Sequence, residues 1–318
     1  MKKANNWILI SLLVGLVVIF AALRIFRSPT LESNLPANLT EIDSAKVNEL
    51  IIVPAKARTN QIRLIRTGKK WELKNGDRTG RLEQRAGATA LQSLMDLKPQ
   101  RIATKRKEKW NEFGVGDSTG THVKVMAGTS AEADLWIGRT GFLQSPDGNF
   151  AGGFTYIRMS DKNDVYAVNT FLEGAFNRDF NDWRDKGFVR LKRDSVDKIT
   201  FRYPADSSFV LEKRNGKWMM GAVAADSAAI VGYLVGLENK NISTFAEVIP
   251  AGAASVDITF EKTSKVVAKI EGWPAQGAWT IRSAYQADTF FSLDGSGVTD
   301  LWKGRIQLGK KEKKEKTK

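Results

Sequence analysis

The sequence predicts an α+β fold: tandem duplicated units of antiparallel sheet with one packed helix each, preceded by a single transmembrane helix. Three observations predict it. A length of 318 residues is too long for one ordinary core and suits two. An uncharged apolar run fills residues 7–23 (WILISLLVGLVVIFAAL). Beyond residue 45 the chain repeats its own order of apolar alternation, turns and tryptophans.

The first element, residues 1–27, is read as a retained membrane anchor that contacts the inner membrane through residues 7–26. At the rise of a helix the run just reaches across a hydrocarbon core of about 30 Å. A cleaved signal peptide is the competing reading, and it needs a shorter apolar run and a small-x-small cleavage site. Here Ala21 and Ala22 run straight into Leu23, Arg24, Ile25 and Phe26, which is a poor site. Lys2 and Lys3 lie on one side and Arg24 and Arg27 on the other, a slight preference for the N-terminus inside and the remaining chain in the periplasm. Residues 28–44 hold two prolines and little periodicity, and read as a linker.

Two units follow, at 45–180 and 181–306. Residues 47–53 (VNELIIV) match 196–203 (VDKITFRY), and 61–73 (QIRLIRTGKKWEL) match 208–220 (SFVLEKRNGKWMM). Each of the latter segments alternates apolar and polar residues, turns at a glycine and reaches a tryptophan, Trp71 or Trp218. That is a β-hairpin with one buried face. A helix is expected next. Leu91, Leu94 and Leu97 form one stripe, and Ile230, Tyr233, Leu234 and Leu237 another, with Asp226 or Ser227 as cap. Further strands at 155–158 (TYIR) and 164–168 (DVYAV) match 279–282 (WTIR) and 288–292 (DTFFS). The spacing is wider in the first copy, which therefore carries insertions. Residues 307–318 are expected to be a disordered Lys/Glu-rich tail.

Composition excludes several chemistries. There is no cysteine, hence no disulfide scaffold, zinc–thiolate site or cysteine nucleophile, and the single histidine, His122, cannot build a multi-histidine metal site. The net charge of +14 is concentrated at the ends, with six lysines against two glutamates in residues 310–318. The mildly basic body suits an anionic lipid or an acidic glycan as readily as nucleic acid. Nucleic acid is not expected, because an exported domain rarely meets a genome.

No catalytic, cofactor-binding or metal-binding residue is assigned. His122 lies in an alternating strand, and no G-x-S-x-G elbow supplies a nucleophile for it. The glycine-rich stretches 113–120 (FGVGDSTG) and 138–154 (GRTGFLQSPDGNFAGGF) miss the dinucleotide spacing and read as turns. The acidic pairs Asp161/Asp164, Asp182/Asp185 and Asp194/Asp197 are close in sequence, as in turns rather than across a cleft. The junction of the two units, Trp183, Arg184, Asp185 and Lys186, is the candidate site. It is read either as a partner contact with Trp183 as anchor, or as an inter-unit clamp with Trp183 buried and Arg184 paired to a carboxylate. Trp273, Trp279 and Trp302 are the candidates for stacking on a sugar.

The step Trp110-Asn-Glu-Phe113-Gly114, the strands Tyr156-Ile-Arg158 and Asp164-Val-Tyr166-Ala-Val168, the run Trp183-Arg-Asp-Lys186 and the repeated hairpin ending in Lys217-Trp218 together resemble the bacterial family described as domain of unknown function 4340. The resemblance covers roughly residues 40–300. It implies a membrane-anchored protein facing the periplasm, often encoded beside ABC-transporter components of the gliding-motility type. It carries over no catalytic residue. The expected function is therefore a non-enzymatic, single-pass envelope accessory protein that partners ABC-transporter subunits or a gliding-type complex. The alternative is a periplasmic polysaccharide-binding module.

Overall fold

The computed structural model describes residues 13–17 and 35–310. The expected fold class needs correction. Strand accounts for 42% and helix for 19%, so antiparallel sheet dominates and the helices are minor coverings. No helix among the described residues is long and apolar enough to cross a membrane. The expected span at 7–26 falls outside the described residues apart from 13–17, which are helical.

Alternation builds the sheets. In β1 (Glu49–Val53) and β2 (Ile62–Thr67) the inward positions Leu50, Ile52, Ile62 and Leu64 are fully buried. On the outer side Arg63 donates to Glu49 at 3.0 Å. β3 (Lys70–Asn75) and β4 (Arg78–Gly80) extend the meander, and β5 (Pro99–Thr104) follows the helix Ala86–Met95. Then come β6 (Thr121–Ala127), β7 (Ser130–Gln144), β8 (Phe150–Met159) and β9 (Val165–Val168). Among the described residues these form a nine-stranded sheet in the order β4-β3-β2-β1-β6-β7-β8-β9-β5.

After β10 (Gly187–Arg190), the second unit runs through β11 (Lys198–Arg202), β12 (Phe209–Arg214), β13 (Lys217–Met220) and β14 (Val223–Ala224). The helix Ser227–Leu237 comes next, then β15 (Asn239–Asn241), β16 (Val256–Lys262), β17 (Lys265–Ala275), β18 (Ala278–Ser283) and β19 (Phe291–Asp294). Its sheet order is β14-β13-β12-β11-β16-β17-β18-β19, the same plan shifted by ten strands. The departure is at the far edge. β5 joins its sheet beside β9, whereas β15 pairs with β10, and the β19 edge instead receives a bridge between Phe245 and Phe291.

Each sheet buries one face under its helix. Leu91 and Leu94 join one core with Leu50, Leu64, Val123 and Leu135. Ile230, Leu234 and Leu237 join another with Ile199, Leu211, Ile258 and Ile270. Asp226 caps the second helix by accepting from the Ala228 and Ala229 amides at 3.0 Å.

Three segments differ from expectation. In the stretch expected as linker, Leu39 donates to the Leu97 carbonyl, Thr40 to that of Leu94, and Ile42 enters the core. The expected tail begins inside a helix, Arg305–Leu308, with Leu308 buried, and Gly309 bridges Ala225, while residues 311–318 lie outside the described residues. The glycine-rich stretch 138–154 is mainly strand, the long β7–β8 hairpin, with its turn closed by the Ser145–Asn149 backbone bond.

Candidate functional site

The junction residues form a seam between the units, and each has a different place in it. Trp183 ends the short helix Phe180–Trp183, which Asp179 and Asp182 close reciprocally as a capping box while Lys56 bridges both carboxylates at 3.2 and 3.3 Å. Its side chain is 2% exposed in the first core, edge-on to Phe176, with Nε1 unpartnered among the described residues. A surface anchor is therefore not what Trp183 provides.

Arg184 is the residue that crosses. An isolated bridge with Leu82 fixes its backbone, and its guanidinium carbon lies 3.6 Å over the ring of Phe245 in the second unit. The expected carboxylate partner is not there. Its one hydrogen bond is a long 3.4 Å contact to Asn181, and its Nε is buried without a partner among the described residues. Burial pushes this guanidinium below its ordinary pKa and neighbouring Arg78 adds to the effect, against the more distant charges of Glu247 and Asp288.

Asp185 is the ion-pairing member. Its carboxylate takes Arg81 Nε at 3.2 Å and caps the Gly187 amide at 2.8 Å. From the second unit, Gln286 donates to the carbonyls of Asp185 and Gly187, while its Oε1 is buried and unpartnered among the described residues. Lys186 contributes its carbonyl to the Ile242 amide. Sequence reasoning missed Gln286, Arg81 and Phe245, which are far apart in the chain and carry no local motif.

The seam opens into two adjoining recesses of about 460 and 570 Å³ that share Glu72, Gly80, Arg81 and Tyr285. Arg184, Lys74 and Asp288 line one, and Lys69, Lys70 and Arg85 the other, so cations outnumber carboxylates along the whole cleft. Tyr285 stands between the guanidinium groups of Arg81 and Arg190, at 4.9 and 5.1 Å. A guanidinium without a carboxylate partner on the wall of a cleft can attract an anionic group. Within the cleft the Thr289 hydroxyl donates to the carboxylate of its neighbour Asp288 at 3.3 Å.

The remaining candidates are structural. His122 Nε2 lies 2.6 Å from Asp134 Oδ1, and the Ser160 hydroxyl donates to that same oxygen, so the carboxylate rather than the imidazole accepts from the serine. Burial would raise the Asp134 pKa, but Ser160, His122 and Lys124 outweigh it and hold the carboxyl below its usual value. The His122 ring stacks on Trp136 at 4.2 Å. Arg158 is buried 3.7 Å over Trp110 and donates to the Val115 carbonyl and to Asp117, pinning the segment around residues 110–117 onto the outer face of the first sheet. Trp273 is buried and donates to the Gly252 carbonyl, and Trp279 packs against Trp302 at 5.9 Å beside the second core. The late tryptophans thus fill space within the fold.

A family model described as "Domain of unknown function (DUF4340)" matches residues 81–266, from just after β4 across the junction residues 183–186 into β17. No curated protein and no solved structure matches the chain.

Proposed function

For a chain that belongs to the family described as domain of unknown function 4340, we propose a non-catalytic accessory role at the cell envelope, with the seam cleft as the contact for a partner. The partner class is the subunits of an ABC-transporter or gliding-type complex, and the two sheet units face the periplasm at the inner membrane. One observation carries this reading. Arg184 lines the seam cleft with its guanidinium over Phe245 and with no carboxylate in ion-pair contact among the described residues. A half-buried guanidinium without a carboxylate is expensive within the fold and useful to a docking carboxylate.

The test is a mild-detergent pull-down of the full-length chain, with co-purifying proteins identified by mass spectrometry. Permease and ATPase subunits enriched over an untagged control, and lost with Arg184→Ala at unchanged melting temperature, are the expected result. Equal recovery with Arg184→Ala removes the cleft from the reading.

A second reading, an acidic polysaccharide in the same cleft, is favoured by the cation surplus and by Tyr285 between Arg81 and Arg190. It expects a Tyr285-dependent affinity for polyuronates that weakens with salt. Salt-independent or absent binding across a panel of acidic glycans rejects it.

A further inference from the structure

The two unit helices occupy the same place in the same sheet plan and present the same inward positions. Gly87, Ala90, Leu91 and Leu94 of the first correspond residue for residue to Ile230, Tyr233, Leu234 and Leu237 of the second. Their outward faces differ in kind. The first shows Arg85, Ala88, Thr89, Gln92 and Ser93, as a solvated helix should. In the same positions the second shows Ala228, Val231, Gly232, Val235 and Gly236, all exposed and all without a polar side chain.

This apolar face has a shape as well as a composition. A recess of about 370 Å³ opens beside Gly232 and Gly236 and is walled by Tyr233, Leu301, Gln307 and Leu308. A Cβ built on either glycine would meet nothing within 4 Å. Val231 and Val235, 40% and 46% exposed, stand on the helix next to these glycines without lining the recess, and Ile306, on the short helix that borders it, is 91% exposed. Successive turns at positions 228, 231/232 and 235/236 make one ridge-and-groove stripe, the form in which a second helix packs.

The rim is basic. Lys240 and Lys303 line the recess, with Asp300 the one carboxylate lining it among the described residues and already 3.5 Å from Lys240. Lys310 follows Gly309, which is bridged to the strand that leads into the helix, and the sequence after it is lysine-rich. A second copy would bring this basic rim against itself. A lipid surface would match the charge but has no ridge for the notch at Gly232 and Gly236.

We propose that the outer face of the Ser227–Leu237 helix docks an amphipathic helix of another protein, whose apolar stripe enters the recess and whose flanks carry Asp or Glu. The site is independent of the seam cleft.

The chain has no cysteine, so Val235→Cys in the full chain takes a single polarity-sensitive dye. The probes are a synthetic Leu/Ala helix with glutamate flanks, the same core with lysine flanks, and vesicles of anionic phospholipid. The expected result is a saturable blue shift with the glutamate-flanked helix, at least ten-fold weaker with the lysine-flanked one. The same dye at Gln92→Cys on the first helix should not respond. Gly232→Leu with Gly236→Leu should weaken the response about ten-fold, and Val231→Lys gives the same readout should the double variant misfold. No saturable shift, or equal shifts with both peptides, overturns the proposal. A shift that grows with protein concentration alone assigns the face to a second copy, and one seen only with vesicles assigns it to lipid; either also overturns it.

Discussion

The guanidinium of Arg184 rests 3.6 Å over the ring of Phe245, so a junction residue whose backbone bridges Leu82 of the first unit reaches onto the second. It does so with Nε unpartnered and with Arg78 rather than a carboxylate as its strongest charged neighbour. The Arg184 contact is therefore aromatic and dispersive in character. The ion pairs of the seam are Asp185 with Arg81, one residue further along, and Arg78 with Glu247.

Arg184→Met should leave stability within about 1 kcal/mol of the parent. The lost ring contact, worth ~0.5–2 kcal/mol, is offset by relief of an unpaired buried cation. Phe245→Ala should cost roughly 3–5 kcal/mol, because a ring in the second core is deleted along with the platform for Arg184. Urea unfolding of both variants checks this. A large loss with Arg184→Met would mean that the charge itself holds the seam.

Trp183 and Lys186 should separate in the same assay. Trp183→Ala removes a fully buried side chain from the first core and is expected to cost ~3–5 kcal/mol. Lys186 gives its carbonyl to the seam and its charge acts on Asp182 only through space, so Lys186→Ala should change stability by less than about 0.5 kcal/mol. Comparable losses at both positions would contradict the division of roles between side chain and backbone.

Glu271 provides a pH test. It receives Lys269 at 2.9 Å and lies 2.6 Å from Arg282, its partner across β17 and β18. Burial raises its pKa, but these two cations more than compensate and hold it below the ordinary value of 4.5. A carboxyl depressed in the folded state contributes stability that is present above pH 4.5 and lost as pH falls from there through the lower folded value. Glu271→Gln should thus be less stable than the parent by about 1–3 kcal/mol at pH 7 and nearly equal to it at about pH 3. Denaturant midpoints at the two pH values decide it. A deficit that persists in acid would assign the loss to shape rather than charge.

What could be read from the sequence was what is periodic or local. Ile62 and Leu64 flank Arg63, Phe209 and Leu211 flank the exposed Val210, all four are buried on schedule, and the turns between β2–β3 and β12–β13 carry Gly68 and Gly216 at positive φ. The stripes of both helices were legible for the same reason. The β10–β15 pair was not, since strands of four and three residues leave too few alternations to register. Arg184 was legible as a junction residue but not its partner, because Phe245 meets it only after the intervening strands have folded. The strand content was underestimated because glycines in 138–154 resemble turn residues. There Gly141 lies against Phe154 and Gly153 against Phe171, so the glycines make room for rings.

Gly87 provides the closest test of that principle. A Cβ at this position would come within 2.6 Å of two ring atoms of Trp71, and ring atoms cannot retreat as a flexible chain end can. In the second unit the corresponding position holds Ile230, which is fully buried in the core that also contains Trp218. The two tryptophans are equivalent in register, Trp71 opposite Arg66 and Trp218 opposite Lys213, so the difference lies in how each ring meets its helix. Gly87→Ala gains about 1 kcal/mol of helix propensity. Overpacking against Trp71 costs ~1–3 kcal/mol, so the net change should be destabilising. Tryptophan emission should shift to the red as Trp71 is displaced toward solvent. The paired variant Gly87→Ala/Trp71→Leu should recover part of the loss, giving a coupling energy above about 0.5 kcal/mol in the double-mutant cycle. Additive losses would show that the helix and the ring do not share this space.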